Sequence, residues 1–159
     1  MPLIRDITHV DYSVVEDLLH SNHLGNGRLY DPEGLDVIVA ELDGSVIGVA
    51  EFQLHCDFGH AEGRAAHPGE QTFVLTLAVA DTDRRSGVGQ TLLAEIARRA
   101  KKAGLTFLAL VPQNGDDALS RQEFFQACGL TLYGPDTPGA AWGCSVSKIL
   151  DANAASEGR

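Results

Sequence analysis

The sequence predicts a mixed α/β protein with a mostly antiparallel sheet of six to seven strands and helices on both faces. Two strand-like runs, Val37 to Leu42 and Val46 to Leu54, are joined by Asp43-Gly44, which is among the strongest short hairpin signals. Between Thr72 and Val111, an apolar run, an amphipathic helix and a second apolar run follow one another. This order predicts one parallel strand pair with a right-handed crossover.

A strand and a helix are predicted before the hairpin. Leu3 to Ile7 alternates apolar and polar residues, which favours a short strand. Thr8 is a residue type that caps helices, and the apolar residues behind it recur at helical spacing. These apolar residues are Val10, Val14, Val15, Leu18 and Leu19. The segment from Ser21 to Glu33 carries Asn, Gly, Asp and Pro with few apolar residues and is predicted to be a loop or broken helix.

The remaining patterns continue to the C-terminus. His55 to Gly69 is predicted to be a surface connection, Thr72 to Val79 a strand buried on both faces, and Val88 to Ala103 a helix that stops at Gly104. The later elements are a strand at Leu105–Val111, a helix at Ala118–Cys128 and strands at Leu130–Tyr133 and Ala141–Leu150. Residues 1–151 are expected to form a single domain, followed by a flexible tail over 152–159.

Charge and cysteine content narrow the expected partners and compartment. With 12 Lys and Arg against 22 Asp and Glu, the chain repels nucleic acid and anionic membranes, so neither is an expected partner. We see no apolar run long enough to span a bilayer and no signal peptide at the N-terminus. Cys56, Cys128 and Cys144 form no CxxC pair, which favours buried or half-buried free thiols in a reducing cytoplasm over disulfides or structural zinc.

A glycine loop, Arg84-Arg85-Ser86-Gly87-Val88-Gly89, separates the apolar strand from the long helix. The start of a helix presents unpaired amides and the positive end of the macrodipole, and the glycines let an anion approach the backbone. Each hydrogen bond to a charged group contributes about 1.5–3 kcal/mol, so a few of them would anchor a pyrophosphate. A Walker loop is excluded because the chain has no Gly-Lys dipeptide, and the third glycine of a Rossmann fingerprint is absent. A tight turn without ligand stays open.

From Thr72 to Leu130 the chain resembles the core of the GNAT superfamily of N-acetyltransferases. The family motif of Arg or Gln, two residues, Gly, one residue, then Gly or Ala stands here as Arg84, Gly87 and Gly89. The flanking LAVADTD and QTLLAEIARRAKKAG segments and the later FFQACGL segment extend the match. The resemblance implies the GNAT fold, with its parallel strand pair splayed apart, and an N-acetyltransferase that uses acetyl-coenzyme A as cosubstrate.

The resemblance also implies how acetyl-coenzyme A is bound, with no metal. A backbone N–H near Val79 would polarise the thioester carbonyl. The expected residues for the pyrophosphate are Arg84, Arg85, Ser86, Gly87, Val88, Gly89 and Gln90, and those for the pantetheine arm are Leu77, Ala78, Val79 and Asn114. Phe125 completes the expected cofactor-binding residues. The spacing from Asn114 to Phe125 is longer than usual in the family, so a plain turn asparagine is equally compatible.

The expected general acid is the clearest departure from the family. Phe125 stands where the family commonly has a tyrosine that protonates the leaving thiolate, and phenylalanine has no proton to give. Ser120, Tyr133, Cys128 or water could take the role instead, although Cys128 also fits a core position. This vacancy keeps a second hypothesis open, a non-catalytic acyl-coenzyme A-binding module or sensor.

The general base is expected among three residues, in the order Glu51, His55 and Asp81. Glu51 lies on the second hairpin strand, His55 begins the long connection and Asp81 follows the central strand. The histidines of the connection, with Asp57 and Glu62, fit no standard metal-ligand spacing. The expected acceptor is a small-molecule or peptide amine, and the resemblance is compatible with a homodimer.

Overall fold

A computed structural model describes residues 2–22, 24, 30–57, 70–80, 87–111, 118–132 and 141–157. Within these ranges the chain forms seven strands, four α-helices and a 3-10 turn at His9–Asp11. The strands are β1 (Leu3–Asp6), β2 (Asp36–Leu42), β3 (Ser45–Asp57), β4 (Glu70–Val79), β5 (Phe107–Leu110), β6 (Thr131–Leu132) and β7 (Trp142–Ser145). The helices are α1 (Tyr12–Ser21), α2 (Val88–Lys102), α3 (Ala118–Ala127) and α4 (Val146–Glu157).

The strands form one sheet in the order β1-β2-β3-β4-β5-β7-β6. β1, β2 and β3 pair antiparallel, as do β5, β7 and β6, whereas β4 and β5 pair parallel. The turn between β2 and β3 places Asp43 at φ 51° and Gly44 at φ 82°, which is the positive-φ pair that a two-residue hairpin requires. The predicted mixed, mostly antiparallel sheet with one parallel pair is therefore confirmed.

The contacts divide the chain into two compact units. The first comprises Met1–Phe52 and Leu75–Glu95, and the second comprises Gln53–Val74 and Ile96–Arg159. The single domain expected over residues 1–151 remains a prediction.

In the first unit, helices pack on opposite faces of the strands. Alternate residues of a strand point to opposite faces, so odd and even positions of β3 have different neighbours. Val49 belongs to a cluster that includes Val15 of α1, whereas Gly48 faces Val88 and Leu92 of α2. The buried members of the α1 cluster are Val15, Leu18, Leu19, Val37, Val39, Val49 and Ala78.

The buried stripe of α1 is narrower than its apolar residues suggest. Val15, Leu18 and Leu19 are buried, but Val10 is 84% exposed and Val14 is also exposed. Val10 lies in the 3-10 turn before α1, where Thr8 N–H donates to Asp11 Oδ2 at 2.8 Å. The tighter turn changes the helical phase, so the expected spacing does not extend back to Val10.

In the second unit, β5 lies between β4 and β7. Thr72, Phe73 and Val74 pair with Leu108, Ala109 and Leu110. The Gln71 side-chain oxygen accepts the N–H groups of Thr106 and Phe107 at 3.2 and 3.0 Å, which fixes the start of β5.

The C-terminal segment differs from its prediction. The strand expected over Ala141–Leu150 ends at Ser145, and α4 then continues through residues 152–157, for which the sequence pattern predicted a flexible tail. Ser145 Oγ accepts the Lys148 N–H at 3.3 Å, as an N-cap residue does. The buried residues Val146, Ile149 and Asn153 are spaced three and four apart, which is helical and not strand spacing.

Candidate active site

Helix α2 begins immediately after the glycine loop. The Gly87 carbonyl oxygen accepts hydrogen bonds from the Thr91 N–H at 3.0 Å and from Thr91 Oγ1 at 2.8 Å. Gly87 is therefore the N-cap residue, and the amides of Val88 and Gly89 precede the first intrahelical bond. A helix start of this kind directs main-chain donors and the positive end of the helix dipole toward an anion.

The backbone conformation at position 87 requires glycine. Its φ is 87°, in the left-handed region that side chains other than glycine rarely adopt. A Cβ built there would have no heavy atom of the described residues within 4 Å. None of the described residues therefore fills the space beside this position, and the cost of a larger residue would come from the backbone and not from a clash with them.

The first turn of α2 is held close to β3 by another glycine. A Cβ built on Gly48 would lie 3.1 Å from Val88 Cγ1 and 3.2 Å from Leu92 Cδ1. Both of these α2 side chains are buried. Because Gly48 has no side chain, the helix packs against the strand at short range, which positions its N-terminal amides.

The carboxyl-terminal half of β4 is less buried than predicted. Thr72, Val74 and Ala78 are buried, but Leu75 is 43% exposed, and Leu77 and Val79 are half-buried. The expectation of a strand buried on both faces is therefore wrong beyond Val74. The register with β5 ends at the pair of Val74 with Leu110, whereas β4 continues to Val79.

The end of β4 is held on one side by the hairpin and by the end of α1. The Ala80 N–H donates to the Ile47 carbonyl oxygen at 2.8 Å. The Asn22 side-chain amide donates to the Leu18 carbonyl oxygen at 2.8 Å and lies 3.5 Å from the Val79 carbonyl oxygen. These contacts order the main chain around Val79, where the thioester is expected.

Glu51, the first of the expected bases, is a buried carboxylate with a tyrosine partner. Its side chain is on β3 and is 9% exposed. The Tyr30 hydroxyl donates to Glu51 Oε2 at 2.9 Å. Burial, together with the Glu51 charge and hydrogen bond, raises the pKa of Tyr30 far above its ordinary value, so the phenol stays protonated. Sequence reasoning missed Tyr30 because it lies in a loop-like segment without a motif.

His55, the second expected base, lies in a more exposed setting. Its Nδ1 is 3.6 Å from Glu70 Oε2, and both side chains are largely exposed. His55 and Glu70 belong to the second unit, whereas Glu51 belongs to the first. Each of the two candidate bases has its own partner, Tyr30 for Glu51 and Glu70 for His55.

Several expected site residues lie outside the described residues. They are Asp81, Arg84, Arg85, Ser86 and Asn114. Gly87, Val88, Gly89 and Gln90 are described, as are Leu77, Ala78 and Val79. The described part of the expected coenzyme A site therefore comprises the N-cap and first turn of α2 and the end of β4.

A family model described as the acetyltransferase (GNAT) family matches residues 2–130. This chain belongs to the GNAT acetyltransferase family. The match covers most of the chain, including both the hairpin and the glycine loop. No curated protein matches the chain significantly.

Solved structures of GNAT proteins share the fold. A phosphinothricin acetyltransferase from Sinorhizobium meliloti in complex with acetyl-CoA has a TM-score of 0.64 and 17% identity, over 91% of this chain and 88% of that one. Ard1 from Thermoplasma volcanium has a TM-score of 0.62 and 17% identity, over 91% and 97%. A chain of the KacTA–DNA complex has a TM-score of 0.68 and 13% identity, over 98% and 99%.

Phe125, which is expected at the position of the family tyrosine, is a packed side chain. Phe125 of α3 is 8% exposed, and its ring centroid lies 5.3 Å from that of Phe124. Cys128 is buried, and burial raises the pKa of its thiol to about 12. A thiol that weakly acidic is a poor proton donor for a leaving thiolate, which favours a core role for Cys128. The side chains of Ser120 and Tyr133 lie outside the described part of the chain.

The three cysteines are free thiols, with Cys128 and Cys144 buried and Cys56 half-buried, as predicted. Among the described residues, no group of three or more His, Cys, Asp or Glu side chains is arranged to hold a metal ion. None of the helices in the described ranges is both long and apolar enough to cross a membrane.

Proposed function

We propose that this GNAT protein transfers an acetyl group from acetyl-coenzyme A to a primary amine of a small molecule or a peptide. The observation that carries the proposal is the start of α2. Gly87 caps the helix at positive φ, and none of the described residues fills the space beside it. The amides of Val88 and Gly89 come before the first intrahelical bond, which is the arrangement that binds a pyrophosphate. Arg84, Arg85, Ser86 and Gln90 are proposed to contribute to the same site.

The end of β4 would receive the thioester arm. Leu77, Ala78 and Val79 continue the strand beyond its last pair with β5 and offer main-chain groups for an added extended chain. An exposed leucine on the central strand of a seven-stranded sheet, Leu75, supports an apolar ligand surface beside it. The main-chain N–H near Val79 would stabilise the oxyanion of the tetrahedral intermediate. Asn114 is proposed to contact the same arm.

Glu51 is our first choice for the general base. Acetyl-coenzyme A supplies the acetyl thioester, and Glu51 takes a proton from the acceptor ammonium, so that the neutral amine can attack directly. A carboxylate that is nearly buried and still accepts a hydrogen bond suits this role better than the exposed His55. Asp81 is third. A cationic acceptor is also consistent with the net charge of −10.

A second candidate function is a non-catalytic acyl-coenzyme A-binding module. Buried Phe125 favours it, because no hydroxyl stands at the position of the family tyrosine. A thiol-release assay with spermidine, L-lysine, kanamycin and an alanine-initiated peptide separates the two functions. Acceptor-dependent release of coenzyme A supports the transferase. Binding of acetyl-coenzyme A without release of coenzyme A in the presence of any of the acceptors supports the module. In the same assay, faster release of coenzyme A by the Phe125→Tyr variant than by the wild type would show that position 125 can hold a general acid and that the wild type lacks one there.

The partner and location expectations also remain proposals. We propose a cytoplasmic protein, on the strength of its three free thiols, without a nucleic acid or membrane partner and without a metal. The occurrence of the same fold in a KacTA–DNA complex makes direct DNA binding worth testing by gel shift. A homodimer is proposed by analogy with the family.

A further inference from the structure

We propose that Tyr30 is a positioning residue of the acyl transfer, because its hydroxyl binds one oxygen of the Glu51 carboxylate and leaves the other oxygen to take the proton of the acceptor amine. This inference rests on the proposed function. In the reaction, Oε1 of Glu51 removes one ammonium proton, the amine nitrogen bonds to the acetyl carbon, and the carbon–sulfur bond breaks. The second proton lost by the nitrogen passes to the sulfur through water, so coenzyme A leaves as the thiol, and Glu51 returns its own proton to water.

The hydrogen bond between Tyr30 and Glu51 has an ordinary length and a nearly buried acceptor. The phenol oxygen is 2.9 Å from Oε2, and Glu51 is 9% exposed. A carboxylate in that setting accepts but cannot donate, so the tyrosine must provide the proton of the bond. Because Tyr30 remains protonated across the physiological pH range, it is a permanent donor to Glu51.

The ring of Tyr30 is itself held by a neighbouring aromatic residue. The Tyr12 ring of α1 meets it edge-on, with centroids 5.5 Å apart at 78°. Tyr12 in turn stacks on His9, with ring centroids 5.0 Å apart. Edge-to-face contacts of this kind fix ring orientation, so the phenol oxygen has a defined direction toward Glu51.

Tyr30 packs against the α1 cluster, which includes a residue near the end of β4. This residue is Ala78, and Ala80 packs against the same cluster. These alanines flank Val79, whose main chain is proposed to hold the thioester. Glu51 lies two positions after Val49 of this cluster, so its side chain is on the same face of β3 as the cluster.

The electrostatic surroundings of the pair are simple. Tyr12 and Asp31 are the other titratable groups that act on Tyr30, and His9 contacts Tyr12. The residue opposite Glu51 on β2 is the buried Val37. The α1 residues in the cluster, Val15, Leu18 and Leu19, are apolar. Among the described residues, Tyr30 is thus the side chain that donates a hydrogen bond to Glu51.

The decisive variant is Tyr30→Phe, which removes only the hydroxyl. A carboxylate that loses a donor is protonated more readily, so the acidic limb of kcat/KM against pH should move upward by about one pH unit. At pH values below the acidic limb of the wild type, the variant should therefore lose about tenfold in kcat/KM, and on the plateau above the limb it should approach the wild type. The affinity for acetyl-coenzyme A, measured by calorimetry, should stay unchanged.

Tyr12→Phe is the matched control, since it removes the same atom from the adjacent ring and keeps the edge contact. Its pH profile should match the wild type. The double variant with Glu51→Gln provides an independent test, because Tyr30→Phe should add no further loss once the carboxylate is gone. Circular dichroism and thermal melting confirm that each variant is folded.

The outcomes separate this inference from the proposed function. An unshifted pH profile in folded Tyr30→Phe, or additive losses in the double variant, would overturn the positioning role while acetyl transfer by the wild type stands. A wild type that binds acetyl-coenzyme A but acetylates none of the four acceptors would overturn the transferase proposal and this inference with it. The acceptor used for the pH profiles is the one with the highest wild-type kcat/KM.

Discussion

Thr91 donates both its amide and its side-chain hydroxyl to the carbonyl oxygen of Gly87, at 3.0 and 2.8 Å. This double contact fixes the first turn of α2 on a residue whose φ is 87°. The two glycines of the motif therefore differ in their requirements. Gly87 sets the shape of the turn, and Gly89 is expected to let an anion approach the main chain.

Gly89→Asp should abolish acetyl-coenzyme A binding. A carboxylate in the first helical turn would occupy and repel the anion site, and loss of even two charge-assisted hydrogen bonds weakens binding by about a hundredfold or more. Isothermal titration calorimetry measures the loss. Ala103→Asp is the control, because it adds the same charge at an exposed position directly after the other end of the same helix. Wild-type affinity in Gly89→Asp would show that the loop is not the anion site.

Gly87→Ala should destabilise the protein by about 1–2 kcal/mol, since an alanine resists the left-handed region. Gly87→Asn should be less harmful, because asparagine tolerates positive φ better than alanine does. No described atom would meet the new Cβ, so the cost is conformational. Urea denaturation gives the free energy of unfolding. Equal free energies of unfolding for Gly87→Ala, Gly87→Asn and the wild type would contradict the positive φ at position 87.

Gly143→Ala should destabilise the second unit through a direct clash. A Cβ on Gly143 would lie 2.6 Å from Cζ of Phe107 and 2.9 Å from the Leu108 carbonyl oxygen. Overpacking of this kind costs about 1–3 kcal/mol in the free energy of unfolding. Combining it with Phe107→Leu, which removes the ring, should recover part of that loss. Strictly additive effects in the double variant would mean that the ring is not the obstacle.

Protonation of Asp11 should make the protein less stable in acid. The Arg5 side-chain hydrogen bonds, chiefly, lower the pKa of Asp11 from 3.8 to about 2. A lowered folded-state pKa means stabilisation that is complete above about pH 4 and is lost as the pH falls toward 2. The shift corresponds to about 2 kcal/mol at neutral pH.

Asp11→Asn therefore should lower the free energy of unfolding at pH 7 and differ less from the wild type near pH 2. Denaturation curves at pH 7, 4 and 2.5 measure this convergence. Asp17→Asn, on the exposed side of α1, is the control and should change stability little at any of these pH values. A pH-independent gap between Asp11→Asn and wild type would argue against linkage to the Arg5 pair.

Local signals in the sequence predicted most of the fold. The Asp43-Gly44 turn needs positive φ at both residues, and Gly104 and Gly129 follow the ends of α2 and α3, so neighbouring residues alone specify these boundaries. The C-terminal segment was the exception. Its apolar residues fit either a strand or a helix over a short window, and the capping contact of Ser145 with Lys148 favours the helix.

The sequence by itself determined the GNAT motif, the order of elements up to β7 and the residue types available for binding a pyrophosphate. Only the tertiary structure decided that Leu75 is exposed on a central strand and that Tyr30 meets Glu51 across 21 positions of the chain. The physical reason is the range of the interactions involved. Turn geometry and helix caps depend on adjacent residues, whereas burial and the pairing of distant side chains depend on how strands and helices pack.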